Sequence, residues 1–364
     1  MPRPGIPGGP QGHLPYLVHG LRGRGLEVRE ELYGNPDGRR SFVGRAGFVL
    51  DTARRLRAAM HEAAREGRRF DVVHLNTAFD RNALLRDVTV VSALKRSGER
   101  IVLKFHGSDA ALAATRDPLL HRLIRRLITR VDAFGVLSSE ERNTLLAAGF
   151  PPENVRVVKN ILRPDLYLPD PDFRRKEGLP GQKPVILFAA RFLREKGILD
   201  VIEACALLQT RHEPFILIAA GDGPLRQEVE AAVRERGLAD VVRLTGQIPE
   251  ERMRALYANA TVLAFPTYHQ EGFPMVVFQS VAAGLPVITT RIRAAADYLN
   301  EPENCLWVEP RNPRQLADRL EFLLRHPAER KNMSQCNRNL AFRFKEDVVT
   351  EEYVRLYDDL VGRG

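Results

Sequence analysis

From residue 71 onward the chain alternates between two hydrophobic rhythms. Short apolar runs, Asp71-Val72-Val73-His74-Leu75, Ile101 to Phe105, Ala133 to Leu137 and Val155 to Val158, have the length of buried strands. Between them, Asn82 to Arg96, Pro118 to Thr129 and Glu140 to Ala148 carry apolar residues at three- and four-residue steps, the period of a helix. The second half repeats the alternation, with strands expected at Val185–Ala190, Phe215–Ala220, Val241–Leu244, Val262–Phe265, Val287–Thr290 and Leu306–Val308. Helices such as Pro224–Arg236 and Pro249–Tyr257 lie between these strands, and the chain reads as helical from Pro313 to an amphipathic end at Val348 to Val361. Strands that alternate with helices predict parallel sheets covered on both faces. The second half, with six such strands, reads as a Rossmann-like domain.

The start of the chain fits this plan less well. Gly8-Gly9-Pro10-Gln11-Gly12 leads into a helix from His13 to Arg24, with Leu14, Leu17, Val18 and Leu21 on one face. A Gly-rich turn opening a helix suits close approach of a phosphate. In an α/β unit a strand normally precedes such a turn, but only seven residues precede Gly8 and none of them reads as a strand. A strand is expected at Leu26 to Leu32, a basic helix at Phe48 to Glu66, and a mobile Gly- and Arg-rich loop over residues 35–47. Residues 161–183, rich in proline and charge and without periodicity, are expected to link two domains, 1–160 and 184–344.

Length and composition agree with that division. At 364 residues the chain exceeds one ordinary core, and 44% hydrophobic with 28% charged residues is a globular composition. No run of about 18 apolar residues exists, which argues against a transmembrane helix. Residues 1–10 lack the apolar core of a secretory signal, and Cys205, Cys305 and Cys336 lie far apart, so a reduced cytoplasmic setting is expected. The net charge of +9 is uneven: residues 1–160 hold 27 Lys and Arg against 17 Asp and Glu. An excess on one half points to an anionic partner or surface there. Nucleic acid is disfavoured because no zinc-finger or RNP-like motif is present. The expected helix at Pro118 carries His121, Arg122, Arg125, Arg126 and Arg130 opposite its leucines, which serves either as a solvated face or as a face resting on anionic lipid.

In doubly wound sheets ligands bind beyond the carboxyl ends of the strands, so the residues just after each strand matter most. After Val185–Ala190 come Arg191 and, five residues on, Lys196; two cations across a strand-to-helix turn can neutralise a diphosphate, or can simply be surface charges. After Ile101–Phe105 comes His106, which can bond a sugar hydroxyl, move a proton, or sit satisfied in its loop. After Val262–Phe265 comes Glu271-Gly272-Phe273-Pro274-Met275, an acidic residue at a helix start whose backbone N–H groups favour anions. An ordinary helix cap has the same composition. Asp170-Pro171-Asp172 sits in the Pro-rich segment and is not expected to hold a metal. No Ser-His-Asp order, Walker loop or HExxH is present.

Taken in order, Gly8 to Gly12, His106-Gly107-Ser108-Asp109, Arg191…Lys196-Gly197, Gly221-Asp222-Gly223-Pro224 and Glu271-Gly272-Phe273-Pro274 resemble the retaining glycosyltransferases of family 4. The resemblance implies a GT-B fold of two Rossmann-like domains, with a C-terminal helix from about residue 345 returning to the first. It implies transfer of a sugar from a nucleotide-diphosphate donor, with no metal and no cofactor, to a lipid-linked or polysaccharide acceptor at the cytoplasmic membrane face. On that resemblance Arg191 and Lys196 hold the diphosphate, and Glu271 with Gly272, Phe273 and Met275 holds the donor sugar. His106 lies near the reaction centre, Gly9 and Gly12 near the phosphates, and Gln279 near the ribose. The sequence departs from the family pattern in three places. Gln279 stands where relatives carry a second glutamate, the first strand is missing, and Arg291-Ile292-Arg293-Ala294-Ala295-Ala296-Asp297 replaces a Gly-rich segment. These departures keep open a second reading, a non-catalytic nucleotide-sugar-binding or scaffolding subunit.

Overall fold

The computed structural model describes residues 12–33, 42–94 and 98–362. They form two compact units, Met1–Ile161 with Glu346–Gly364, and Leu162–Lys345. The first unit contains α1 (Leu14–Gly23), α2 (Phe42–Arg65), β1 (Val72–Phe79), α3 (Arg81–Leu94), β2 (Arg100–Ser108), α4 (Ala110–Ala113), α5 (Pro118–Ile128), β3 (Ala133–Val136), α6 (Ser139–Ala147) and β4 (Val155–Val157). Its strands pair in parallel in the order β1-β2-β3-β4. Ile101 to Phe105 and the whole of β3 are buried, as continuous apolar runs must be when helices cover both faces. The caps are local chemistry: the side chains of Asp109, Asp117 and Ser138 accept backbone N–H bonds at the starts of α4, α5 and α6. On α5, Leu120, Ile124 and Leu127 face the core, while Arg122, Arg125 and Arg126 are exposed together with Leu119.

Two expectations fail in this unit. Residues 26–32 form no strand: after α1 they run on without pairing to any described strand. Their alternating pattern suits a sheet, but a strand exists only where a neighbour takes up its peptide groups. Of the loop expected over residues 35–47, 35–41 lie outside the described residues, and the remainder is not a loop, because α2 is already helical from Phe42. Gly44 and Gly47 lie in its first two turns, where a cost of roughly 1 kcal/mol each is small against a long helix packed on α3.

The second unit opens with a 3-10 turn at Pro164–Leu166 and α7 (Phe173–Lys176), both within residues 161–183. Next come β5 (Val185–Ala189), α8 (Ile198–Thr210), β6 (Ile216–Ala220), α9 (Arg226–Glu235), β7 (Val242–Gly246), α10 (Glu250–Asn259), β8 (Val262–Phe265), α11 (Met275–Ala283), β9 (Val287–Thr289), α12 (Arg293–Tyr298), β10 (Cys305–Trp307), α13 (Pro313–Arg325) and α14 (Pro327–Ala341). The six strands are parallel in the order β10-β9-β8-β5-β6-β7, so the chain winds outward from β5 in one direction and then in the other. β5, β6 and β8 are buried at every position.

The last helix, α15 (Glu346–Val361), belongs to the first unit and buries Val349, Tyr353, Leu356, Tyr357 and Leu360 at helical spacing. It crosses α1 closely: a Cβ on Gly20 would lie 2.2 Å from Thr350 Oγ1, so only glycine permits that approach.

Candidate active site

In a doubly wound sheet the order of strands reverses where neighbouring crossovers leave in opposite directions, and the loops there open a crevice. In the second unit this point lies between β5 and β8, which pair directly. The loop after β5 holds Arg191 and Lys196, and the loop after β8 holds Glu271 to Pro274. The two loops interlock through the backbone. Glu195 O accepts from Tyr268 N at 2.9 Å, His269 N at 3.1 Å and Thr267 Oγ1 at 3.1 Å. Gly197 makes this fit possible; its φ is +79°, and a Cβ there would meet Pro266 O at 2.6 Å.

The interlock brings Lys196 and Glu271 into a direct ion pair, both largely shielded from solvent. Glu271 N is held by His269 O at 2.8 Å. Gly272 and Phe273 are buried just before α11, and Phe273 stacks on Phe278 with ring centroids 3.7 Å apart. α11 begins at Met275, so its N-terminal dipole points at the same loop. Gln279 lies one turn further on, half-buried. Arg191 is exposed and forms no ion pair with a described carboxylate. The structure therefore gathers Lys196, Glu271, Gly272, Phe273 and Met275 around one turn, with Arg191 and Gln279 on the adjoining loop and helix.

Three residues of this site escaped the sequence reading. Glu195 supplies the carbonyl that pins the facing loop. His269 sits between Lys196 and two glutamates; burial, and then Lys196, lower its pKa below the ordinary histidine value. Arg293, 3% exposed, donates to Gln270 O and Gln270 Oε1, each at 3.1 Å, and so braces the Glu271 loop from α12. The one available signal was Arg293's place in the segment that departs from the family pattern.

His106 lies in the first unit, at the end of β2. Its Nε2 bonds Asn76 Oδ1 at 2.8 Å, and burial pushes its pKa down. A neutral ring that donates through Nε2 carries its lone pair on Nδ1, a buried atom with no partner among the described residues. Behind it lies a polar chain that the sequence reading missed. His13 Nδ1 accepts from Ile161 N at 3.0 Å, so the neutral ring has its proton on Nε2, 2.6 Å from Lys104 Nζ. Lys104 must then accept from His13 while donating to Asn160 Oδ1 at 2.8 Å, which only a neutral amine can do. Complete burial lowers its pKa accordingly. A lysine inside the apolar run of β2 was the visible cue. Gly12 is exposed in the turn before α1, and Gly9 lies outside the described residues.

Two family models together match most of the chain. Residues 169–340 match the model of the glycosyl transferases group 1, and residues 7–166 match that of glycosyltransferase family 4. A GDP-mannose-dependent alpha-(1-6)-phosphatidylinositol monomannoside mannosyltransferase of Mycobacterium tuberculosis is 25% identical over 62% of this chain. The chain spans only 60% of that relative's length. Among solved structures, the sucrose-phosphate synthase of Thermosynechococcus elongatus superposes with a TM-score of 0.76 at 21% identity, over 98% of this chain and 94% of that one. Anabaena HepE in complex with UDP gives 0.73 at 16% identity, over 85% and 82%. Together, the two family matches and the two parallel-sheet units show that the chain belongs to the family 4 glycosyltransferases of GT-B fold.

Proposed function

We propose that the chain transfers a sugar from a nucleotide-diphosphate sugar, with retention at the anomeric carbon, to a lipid-linked or polysaccharide acceptor. The observation that carries this reading is the Lys196–Glu271 pair, set at the switch point between β5 and β8 against the start of α11. A donor entering there exchanges one pairing for two. The ammonium of Lys196, with Arg191, neutralises the diphosphate, while the Glu271 carboxylate accepts from sugar hydroxyls and the backbone N–H groups of Gly272 and Phe273 face the anion. Cleavage of the bond from the anomeric carbon to the phosphate oxygen leaves negative charge on that oxygen, where fixed cations stabilise it most. The acceptor oxygen forms its bond on the same face, and its proton passes to the departing phosphate oxygen. No protein nucleophile is needed for that route, and His106 serves to hold a hydroxyl through Nδ1.

The acceptor reading draws on the mannosyltransferase relative, whose acceptor is a phosphatidylinositol mannoside, and on the exposed arginines of α5. No described helix is long and apolar enough to cross a membrane. The test is incubation with radiolabelled UDP-, GDP- and ADP-sugars and a lipid extract. One donor is expected to label product, and Glu271→Ala is expected to lower that rate by about 10²–10³-fold. An unchanged rate would remove Glu271 from the reaction, and donor binding without turnover would favour a non-catalytic binding subunit.

A further inference from the structure

The loop that carries Glu271 is held from three sides. From the loop after β5, Glu195 O takes up the N–H groups of Tyr268 and His269. From the loop after β10, the guanidinium of Arg311 lies over the Tyr268 ring at 4.7 Å. From the start of α12, just beyond β9, Arg293 donates through Nη1 to Gln270 O and through Nη2 to Gln270 Oε1, each at 3.1 Å. This last contact reaches the peptide group that joins Gln270 to Glu271. That group is tied at both ends: its C=O accepts from Arg293, and its N–H donates to His269 O at 2.8 Å. A peptide group is planar, so fixing both ends fixes the plane from which the Glu271 side chain departs.

The backbone at Arg293 is strained for this contact. Among the described residues, three other than glycine have positive φ, His212 at +58°, Arg311 at +57° and Arg293 at +41°, and of these Arg293 alone is buried. A strained backbone that carries a buried cation persists where its surroundings over-determine it. We propose that Arg293 is a positioning residue for sugar transfer: it keeps the Glu271 carboxylate aimed when the donor diphosphate draws Lys196 away. The inference rests on the donor reading of the Lys196–Glu271 pair given above. Before a donor enters, Lys196 itself holds the carboxylate. Once phosphate oxygens compete for that ammonium, the pinned peptide is what preserves the aim, and a carboxylate already oriented has less freedom to lose in the transition state. A guanidinium suits the task because its planar fork donates two bonds in fixed directions, which a single ammonium does not. Arg311 does not share the role, being exposed and in contact with a ring instead of a peptide.

The test is Arg293→Asn in the full chain, because asparagine tolerates the positive φ while the fork is removed. With whichever of the UDP-, GDP- and ADP-sugars the unmodified chain turns over, kcat is expected to fall at least about tenfold. KM for that donor, and the calorimetric affinity for its nucleoside diphosphate, should change by less than about threefold, since Arg191 and Lys196 are untouched. Arg293→Lys should recover part of the loss, and Arg311→Ala, the control, should stay within about twofold of the unmodified kcat. Amide hydrogen exchange, which needs no turnover, should be at least about tenfold faster at Glu271 in Arg293→Asn and unchanged in β5 and β8. If Trp307 fluorescence shows that Arg293→Asn does not fold, Arg293→Gly, which also suits the positive φ, takes its place. Unchanged kcat, or unchanged exchange at Glu271, overturns the proposal. So does a fall in nucleoside diphosphate affinity equal to the fall in kcat, which would assign Arg293 to the phosphates or to general integrity. An unmodified chain that turns over no nucleotide sugar sinks the donor reading itself, whereas an active chain whose variant loses nothing sinks only the role of Arg293.

Discussion

The two parallel sheets differ at one edge among the described strands. In the second unit the outermost strands are short, β10 with three residues and β7 with five, and the fully buried strands lie inside. In the first unit one edge strand among the described residues, β4, has three residues, while the other, β1, has eight and borders a large cavity. Natural sheets usually shorten or cover their edges, because a long free edge invites pairing. The second unit therefore builds its own switch point and its own site from the strands it has. The first unit, over the described residues, is a sheet in sequential order with no such point.

The sharpest way to break this comparison is at the switch point. Lys196→Ala removes the cation and leaves Glu271 without its partner; turnover with the preferred nucleotide sugar is expected to fall about 10²–10³-fold, measured as kcat/KM. A comparable loss on altering only residues of the first unit's polar chain, such as Asn160→Ala, would deny the second unit its primacy.

A somewhat smaller effect is expected for Gly197→Ala. The positive φ and the 2.6 Å approach to Pro266 O make the Cβ costly, by about 2–4 kcal/mol. Trp307, the chain's single tryptophan, lies in β10, so its fluorescence should show an earlier denaturant midpoint for the second unit. An unmoved midpoint would mean that the two loops do not interlock as described.

The first unit should be the acid-sensitive one. Burial, the largest cause, lowers the His74 pKa from 6.5 to about 3, and burial likewise lowers His13 and His106. The unfolded chain thus binds more protons than the folded one between about pH 3 and 6.5. Stability in that window rises with pH and is lost as pH falls below 6.5, by about 1.4 kcal/mol per pH unit for each such histidine. Far-UV circular dichroism at successive pH values should lose cooperativity before Trp307 fluorescence does, and His74→Phe should flatten the slope. The reverse order of loss would overturn the assignment.

The smallest expected effect is at Gln279. Restoring a carboxylate with Gln279→Glu should tighten nucleotide-sugar binding by about 1 kcal/mol, roughly fivefold in Kd by calorimetry. No change would indicate that this position does not meet the nucleotide.

Much of the site was legible before any coordinates, because strand ends in an α/β pattern announce where ligands bind. Lys196 and Glu271 stand out from the sequence because each lies in the loop that leaves an apolar run, β5 for the one and β8 for the other. Their contact was not legible, since it depends on β5 and β8 being neighbours, and strand order is a property of packing. Glu195 contributes a carbonyl, which any residue could supply, so no side-chain type marks it. His13, Lys104 and Asn160 are far apart in the chain, and only the fold makes them one hydrogen-bonded series.

The failure at residues 26–32 separates the two kinds of information most clearly. Periodicity is local, and it was sufficient for the class of fold and nearly every strand and helix from Val72 onward, while the family resemblance rested on short motifs in order. Whether an alternating segment becomes a strand depends on a neighbour that accepts its N–H and C=O groups, and that neighbour lies elsewhere in the chain or outside it. Hydrophobic pattern is written residue by residue, but hydrogen-bond partnership, burial of a neutral lysine and the meeting of two loops at a switch point exist only once distant segments are packed together.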